Sequence, residues 1–264
     1  MIRTLVGAGL LLTLTGCLDG PGPDAGGDGL AEPDYTGGPT AAGLYKGLTN
    51  NGEDVVGAVL ENGDYFFLYS ADAGDTFTGG IEGAFIGRLS ATNSDLESSD
   101  DIDFNLDGAV LSYDLGGAYT SGQALMGEVN YDTEDADFVR FTTDYDDQFD
   151  QSVSLSDVAG EYTGDTISRA REEAAAVIVE ADGTLSGIDA LGCTLSGTIA
   201  ARPNSNLFDI AFTYEPASTN DCPDAHAGQG FEGWGYVDDQ EQALVMVAQR
   251  PDDREVATFF IGQP

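Results

Sequence analysis

The residues best spaced for chemistry in this chain are acidic. Asp103-Phe104-Asn105-Leu106-Asp107-Gly108, with Asp114 at the twelfth place, fits the D-x-N-x-D-G pattern of a calcium loop. Ca²⁺ takes oxygen ligands from alternate positions, and a glycine makes the sharp turn; Val110 fills the usual apolar eighth place. Asp103, Asn105, Asp107 and Asp114 are the candidate metal ligands. The twelfth residue is Asp rather than the bidentate Glu, however, and neither flank reads as helix. The plainer reading is that Asp107-Gly108 turns a hairpin, because 47 acidic residues produce such patterns by composition. Asp144-Tyr145-Asp146-Asp147 and Ser99 to Asp103 read as solvated acidic loops.

Other constellations are sparse. His226 is the only histidine, which argues against zinc, and no G-x-S-x-G elbow accompanies it. Paired carboxylates for glycoside hydrolysis are available in quantity, but nothing selects a pair. The chain therefore reads as non-catalytic, with no cofactor expected beyond Ca²⁺. Trp234 lies between Gly233 and Gly235, near Phe231 and Tyr236. It suits a barrel interior, or else a ligand mouth. Met126 and Phe66-Phe67 read as core.

The elements that would position these residues are short strands. From Gly43 onward, runs of Tyr, Phe, Val and Leu alternate with Gly, Asn and Asp. Asn62-Gly63-Asp64 splits Val55 to Leu60 from Tyr65 to Tyr69, a hairpin signal. Asp182-Gly183 does the same for Ala176 to Val179 and Thr184 to Ile188. Arg169 to Ala176 has helical composition, but strand is expected for Val177-Ile178-Val179. The chain also repeats itself. Gly43-Leu44-Tyr45-Lys46-Gly47 matches Gly160-Glu161-Tyr162-Thr163-Gly164, and a hairpin follows each. Gly80 to Gly83 then matches Gly192 to Gly197, and Gly122 to Gly127 matches Gly228 to Gly233. A further apolar strand follows each of the last pair, Phe138 to Thr142 and Ala243 to Val247. The expected fold is all-β, with two tandem antiparallel β-barrels of about eight strands each. The first covers residues 42–150 and the second 151–264. Leu155 to Gly160 is expected to form a turn of helix plugging the second barrel. Each half is expected to bury its own core and to fold alone.

Charge narrows the partners. With 47 acidic and 9 basic residues the formal charge is −38, which repels nucleic acid and anionic head groups. The apolar and aromatic content is nevertheless enough for packed cores. The composition resembles that of exported proteins from salt-loving bacteria.

Leu14-Thr15-Gly16-Cys17 resembles the lipobox of bacterial lipoprotein signal peptides. Arg3 and an apolar run from Leu5 to Leu14 precede it, too short to span a bilayer. The resemblance implies that residues 1–16 are removed and that Cys17 carries lipid. Residues 17–41, rich in Gly, Pro and Asp, would be a flexible tether. Leu18 rather than Asp after the Cys implies the outer membrane. With Cys17 acylated, Cys193 and Cys222 are left as an even pair in an oxidising compartment, and a disulfide is expected. The G-x-Y-x-G starts, DG hairpins and G-x-x-x-G strands also resemble β-barrel lipoproteins of proteobacteria. More distantly they are similar to the barrel modules of transferrin-binding-protein-type lipoproteins and to lipocalin-like barrels. The Lys-rich loops of the transferrin-binding type are missing. The function implied is an envelope binding module for a ligand or a cationic protein or peptide. A structural envelope lipoprotein and a carboxylate-dependent hydrolase are the alternatives.

Overall fold

The computed structural model describes residues 35–70, 80–106, 110–131, 138–169, 171–215 and 227–264. The chain is two closed eight-stranded antiparallel barrels in tandem. The first ring runs β1 (Gly43–Thr49), β2 (Asp54–Val59), β3 (Asp64–Ser70), β4 (Ile81–Arg88), β7 (Asp101–Asn105), β8 (Val110–Thr120), β9 (Ala124–Tyr131) and β10 (Val139–Asp146). Pairing of β10 with β1 closes it, through Lys46 opposite Asp144 and Leu48 opposite Thr142. The hairpin of β5 (Ser90–Thr92) and β6 (Asp95–Glu97) hangs from the far half of β8.

A 3₁₀ turn at Asp147–Asp150 and the single helical turn α1 (Leu155–Val158) connect the barrels. The second ring follows chain order: β11 (Gly160–Ser168), β12 (Arg171–Val179), β13 (Thr184–Asp189), β14 (Thr194–Ala201), β15 (Leu207–Glu215), β16 (Gly230–Asp238), β17 (Ala243–Arg250) and β18 (Asp253–Gln263). The segment with helical composition before Val177 is therefore strand. Its ladder to β11 runs unbroken from Arg171 to Val179, and pairing on both sides overrides the preference of Ala and Glu for helix. Val158 is buried at the end of the second core and Leu155 packs beside it, as expected of a plug.

The repeated G-x-Y-x-G start has a physical basis. Tyr45 Oη donates to the carbonyl of Ala41 at 2.8 Å, and Tyr162 Oη donates to that of Val158 at 2.9 Å, the same four-residue step back. The second glycine lets the closing strand approach. A Cβ on Gly47 would strike the carbonyl oxygen of Thr142 on β10, and one on Gly164 that of Ile261 on β18. The later matches slip by one strand. Gly122 to Gly127 leads into the seventh strand of the first ring, whereas Gly228 to Gly233 leads into the sixth of the second.

Three cores result, not two. Tyr45, Tyr65, Phe67, Phe85 and Phe141 fill the first barrel, and Phe208, Phe212, Phe231 and Phe260 the second. The third lies between the barrels, on their outer faces. Leu44, Val56, Phe66 and Phe104 of the first meet Leu207, Tyr236, Val247 and Phe259 of the second. Phe66 stacks on Trp234 at 6.1 Å and 8°, and Phe104 meets Phe259 edge-on at 6.2 Å. The expectation that each half buries its own core is thus incomplete, since each also relies on the other.

Candidate functional site

A cluster of buried polar side chains lies inside the first barrel. β7 alternates acid and apolar residues. Ile102 and Phe104 face the shared core, so Asp101 and Asp103 point inward. They are 2% and 3% exposed, which corrects the reading of Ser99 to Asp103 as a solvated loop. Four hydroxyls and the Arg88 N–H receive them. Tyr65 Oη donates to Asp101 Oδ2 at 2.6 Å and lies 2.7 Å from Tyr113 Oη. Ser98 Oγ also donates to Asp101. Tyr69 Oη donates to Asp103 Oδ1 at 2.8 Å and Tyr131 Oη to Oδ2 at 2.7 Å. Gly87 on β4 leaves the space that the Asp101 carboxylate occupies.

The two carboxyls differ from surface acids. Burial pushes Asp103 up to about 6, against the pull of the Tyr131 and Tyr69 hydroxyls and with some help from the charge of Glu53. Burial also raises Asp101, opposed by bonds from Ser98, Tyr65 and the Arg88 N–H and by the field of Arg254. Tyr65 and Tyr69 are raised by burial first and by the neighbouring carboxylate second, and Tyr113 by burial, then by Tyr65, then by Asp101, so they stay protonated. The cluster holds the barrel's aromatic core in one arrangement and can exchange a proton near Asp103. Its carboxyls are walled in by Phe85, Phe141 and the tyrosines.

The candidate metal ligands are not gathered. Asp103 faces inward with its tyrosines, and Asn105 ends β7. Asp114 is exposed on β8, where its Oδ1 accepts from the Asp100 N–H at 3.2 Å. Asp107 lies outside the described residues, as do Cys17, Cys222 and His226. Among the described residues, no three His, Cys, Asp or Glu side chains stand close enough to share a metal ion. Cys193 is buried in the second barrel and disulfide-bonded.

Three further expectations are corrected. Trp234 is not interior. The inward positions of β16 belong to Phe231 and its alternates, so Trp234 faces the seam between the barrels. Met126 is half-buried on the outer face of β9, because Leu125 and Val129 take the inside. Asp144 to Asp146 belongs to β10, not to a loop. There Asp146 meets Lys46 Nζ at 2.9 Å, and the same ammonium reaches Asp238 of the second barrel at 2.7 Å. Burial would raise Asp238, but Lys46 and the N–H groups of Glu241 and Gln240 outweigh it and hold that carboxyl below its ordinary value.

Comparison with known proteins places no relative beside this architecture. No protein-family model, no curated protein and no solved structure matches the chain. Among the described residues, no helix is long and apolar enough to cross a membrane.

Proposed function

We propose that this chain is a non-catalytic binding module of the bacterial cell envelope, anchored in the outer membrane through lipid on Cys17. Residues 17–34 tether it, a shorter stretch than the 17–41 expected from composition, because Gly37 already pairs with β8, its N–H donating to the Tyr119 carbonyl at 2.7 Å, and Ala41 is buried. Its binding surface is the outside of the fused barrels. The observation that supports this is the state of the two interiors. Both are packed with aromatic and aliphatic side chains, and a void lined by Phe212, Tyr214 and Phe260 within the second is about 10 Å³, too small for a ligand. The buried carboxylates, Asp101 and Asp103, are occupied by hydroxyl donors. Recognition then falls to the outer surface, where an acidic shell selects cationic proteins or peptides and rejects nucleic acid.

Anchoring is tested by replacing Cys17 with Ser and labelling cells with radioactive palmitate. The parent takes up label and fractionates with membranes, while Cys17→Ser does neither. Equal labelling of both would refute the anchor.

A further inference from the structure

The outer face of β14, β15 and β16 forms the floor of an open trough of about 560 Å³ that ends at the seam. Thr198, Ala211 and Glu232 lie side by side across the three strands, with Ala200, Asp209 and Trp234 in the next row. A second depression of about 460 Å³ continues along the same strands past Ser196, Thr213 and Gly230. The β17–β18 turn walls one side with Arg250, Pro251 and Arg254. Asn62 and Asp64 of the first barrel close the seam end. Together the two depressions suit a chain of several rings rather than one small molecule.

The charge here departs from the rest of the surface. Of nine basic residues in the sequence, Arg202, Arg250 and Arg254 line this trough. Arg88 bonds the lining Asp64. Arg202 is committed to Asp209 at 2.7 Å and to Glu61 at 3.1 Å across the seam. Arg250 is committed to Asp252 through two bonds of 3.0 and 2.8 Å. Arg254 is exposed and has no ion pair among the described residues. Gln249 Nε2 donates to its carbonyl at 2.6 Å and fixes its backbone. The trough thus offers one uncommitted guanidinium in the same lining as the only tryptophan of the chain. That indole stacks on Phe66 and is half-buried, with its remaining surface in the lining.

These groups complement a sugar acid. A pyranose ring presents an apolar C–H face that an indole accepts, and its hydroxyls bond to planar amides and carboxylates such as Asn62, Gln249 and Glu232. A ring carboxylate matches the guanidinium fork in shape and charge. A nucleic acid or sulfated polymer, with charge on every unit, would meet the repulsion of the whole acidic shell. A saccharide with isolated carboxylates meets much less. We propose that this trough binds an oligosaccharide bearing carboxylates, with a ring against Trp234 and a carboxylate on Arg254. The inference rests on reading the chain as a binding module without turnover.

The test uses the full exported chain and the emission of its single tryptophan. A tetrasaccharide carrying one uronic acid among neutral rings (aldotetraouronic acid) and its carboxyl-reduced, neutral form are titrated at about 0.15 M salt, where the Debye length is about 8 Å. The acid should shift emission saturably and bind at least about tenfold more tightly than the neutral form, the scale of one charge-assisted contact. Arg254→Gln, at an exposed site, should retain the parent's circular dichroism and reduce the acid to the neutral affinity. No saturable response, equal affinity of the two sugars, or unchanged binding by Arg254→Gln would overturn the site. Equal binding of tetraglutamate would overturn the sugar assignment. Prolonged incubation with the acid should yield no new reducing ends. Their appearance would overturn the non-catalytic reading and leave the site standing, whereas absent binding would do the reverse.

Discussion

Asp103 carries the clearest residue-level consequence. Its carboxyl is raised to about 6 when folded, against about 3.9 in an unfolded chain. Between about pH 4 and 6 the folded state holds a proton that the unfolded chain has released. Stability from this group is therefore complete below about pH 4 and lost as pH rises through 6, by about 2–3 kcal/mol at roughly 1.4 kcal/mol per pKa unit. Asp103→Asn keeps an acceptor for one tyrosine and a donor for the other. Urea unfolding of parent and variant from pH 4 to 7 should show the variant gaining on the parent as pH rises, with a flat difference refuting the buried charge. Little of this was legible in the sequence. Asp101-Ile102-Asp103-Phe104 alternates as a half-buried strand does, and the usual reading puts the acids in water. Here the apolar face meets a second barrel and the acids take the inside, where Tyr65, Tyr69, Tyr113 and Tyr131 supply hydroxyls from three other strands. No spacing along the chain announces that meeting.

At the scale of elements, hairpins and ring starts were legible because their signals are local. Asn62-Gly63-Asp64 and Asp182-Gly183 turn where expected, and the paired tyrosines of G-x-Y-x-G bond within four residues. The seam was not legible, although β3 carried a clue. Asp64–Ser70 reads DYFFLYS, buried from Tyr65 to Ser70, and a run apolar on both faces implies cover on both. Residues 43–150 and 156–264 expressed apart would each expose an apolar outer face centred on Phe66 or Phe259. The expected outcome is that each half self-associates or precipitates alone, and that the two form a 1:1 complex when refolded together. Size-exclusion chromatography with light scattering decides it. Two monodisperse halves that ignore each other would mean that the third core contributes nothing.

Across the whole molecule, the formal charge of −38 outweighs any local pairing. Among the described residues most ion pairs are partly exposed, worth about 0–1 kcal/mol each. Mutual repulsion of the remaining carboxylates opposes compaction. The Debye length shrinks from about 10 Å at 0.1 M salt to about 3 Å at 1 M, so NaCl should raise the midpoint of thermal unfolding. Differential scanning calorimetry over that range checks it, and an unchanged midpoint would mean that the acids are already spaced widely enough. The charge behind this expectation was fully legible, since it depends on composition and not on placement.

The ring closures also order events in time. β1 pairs with β10, so the first barrel has every strand it needs once Asp146 has been delivered. β11 pairs with β18, so the second waits for the last strand of the chain. Contacts this far apart in sequence form slowly. Throughout that wait the finished barrel presents Phe104 to its surroundings, because Phe259, which covers it, arrives on β18. One strand therefore both seals its own barrel and shields its neighbour. A chain stalled just short of it is the species that a chaperone would have to hold.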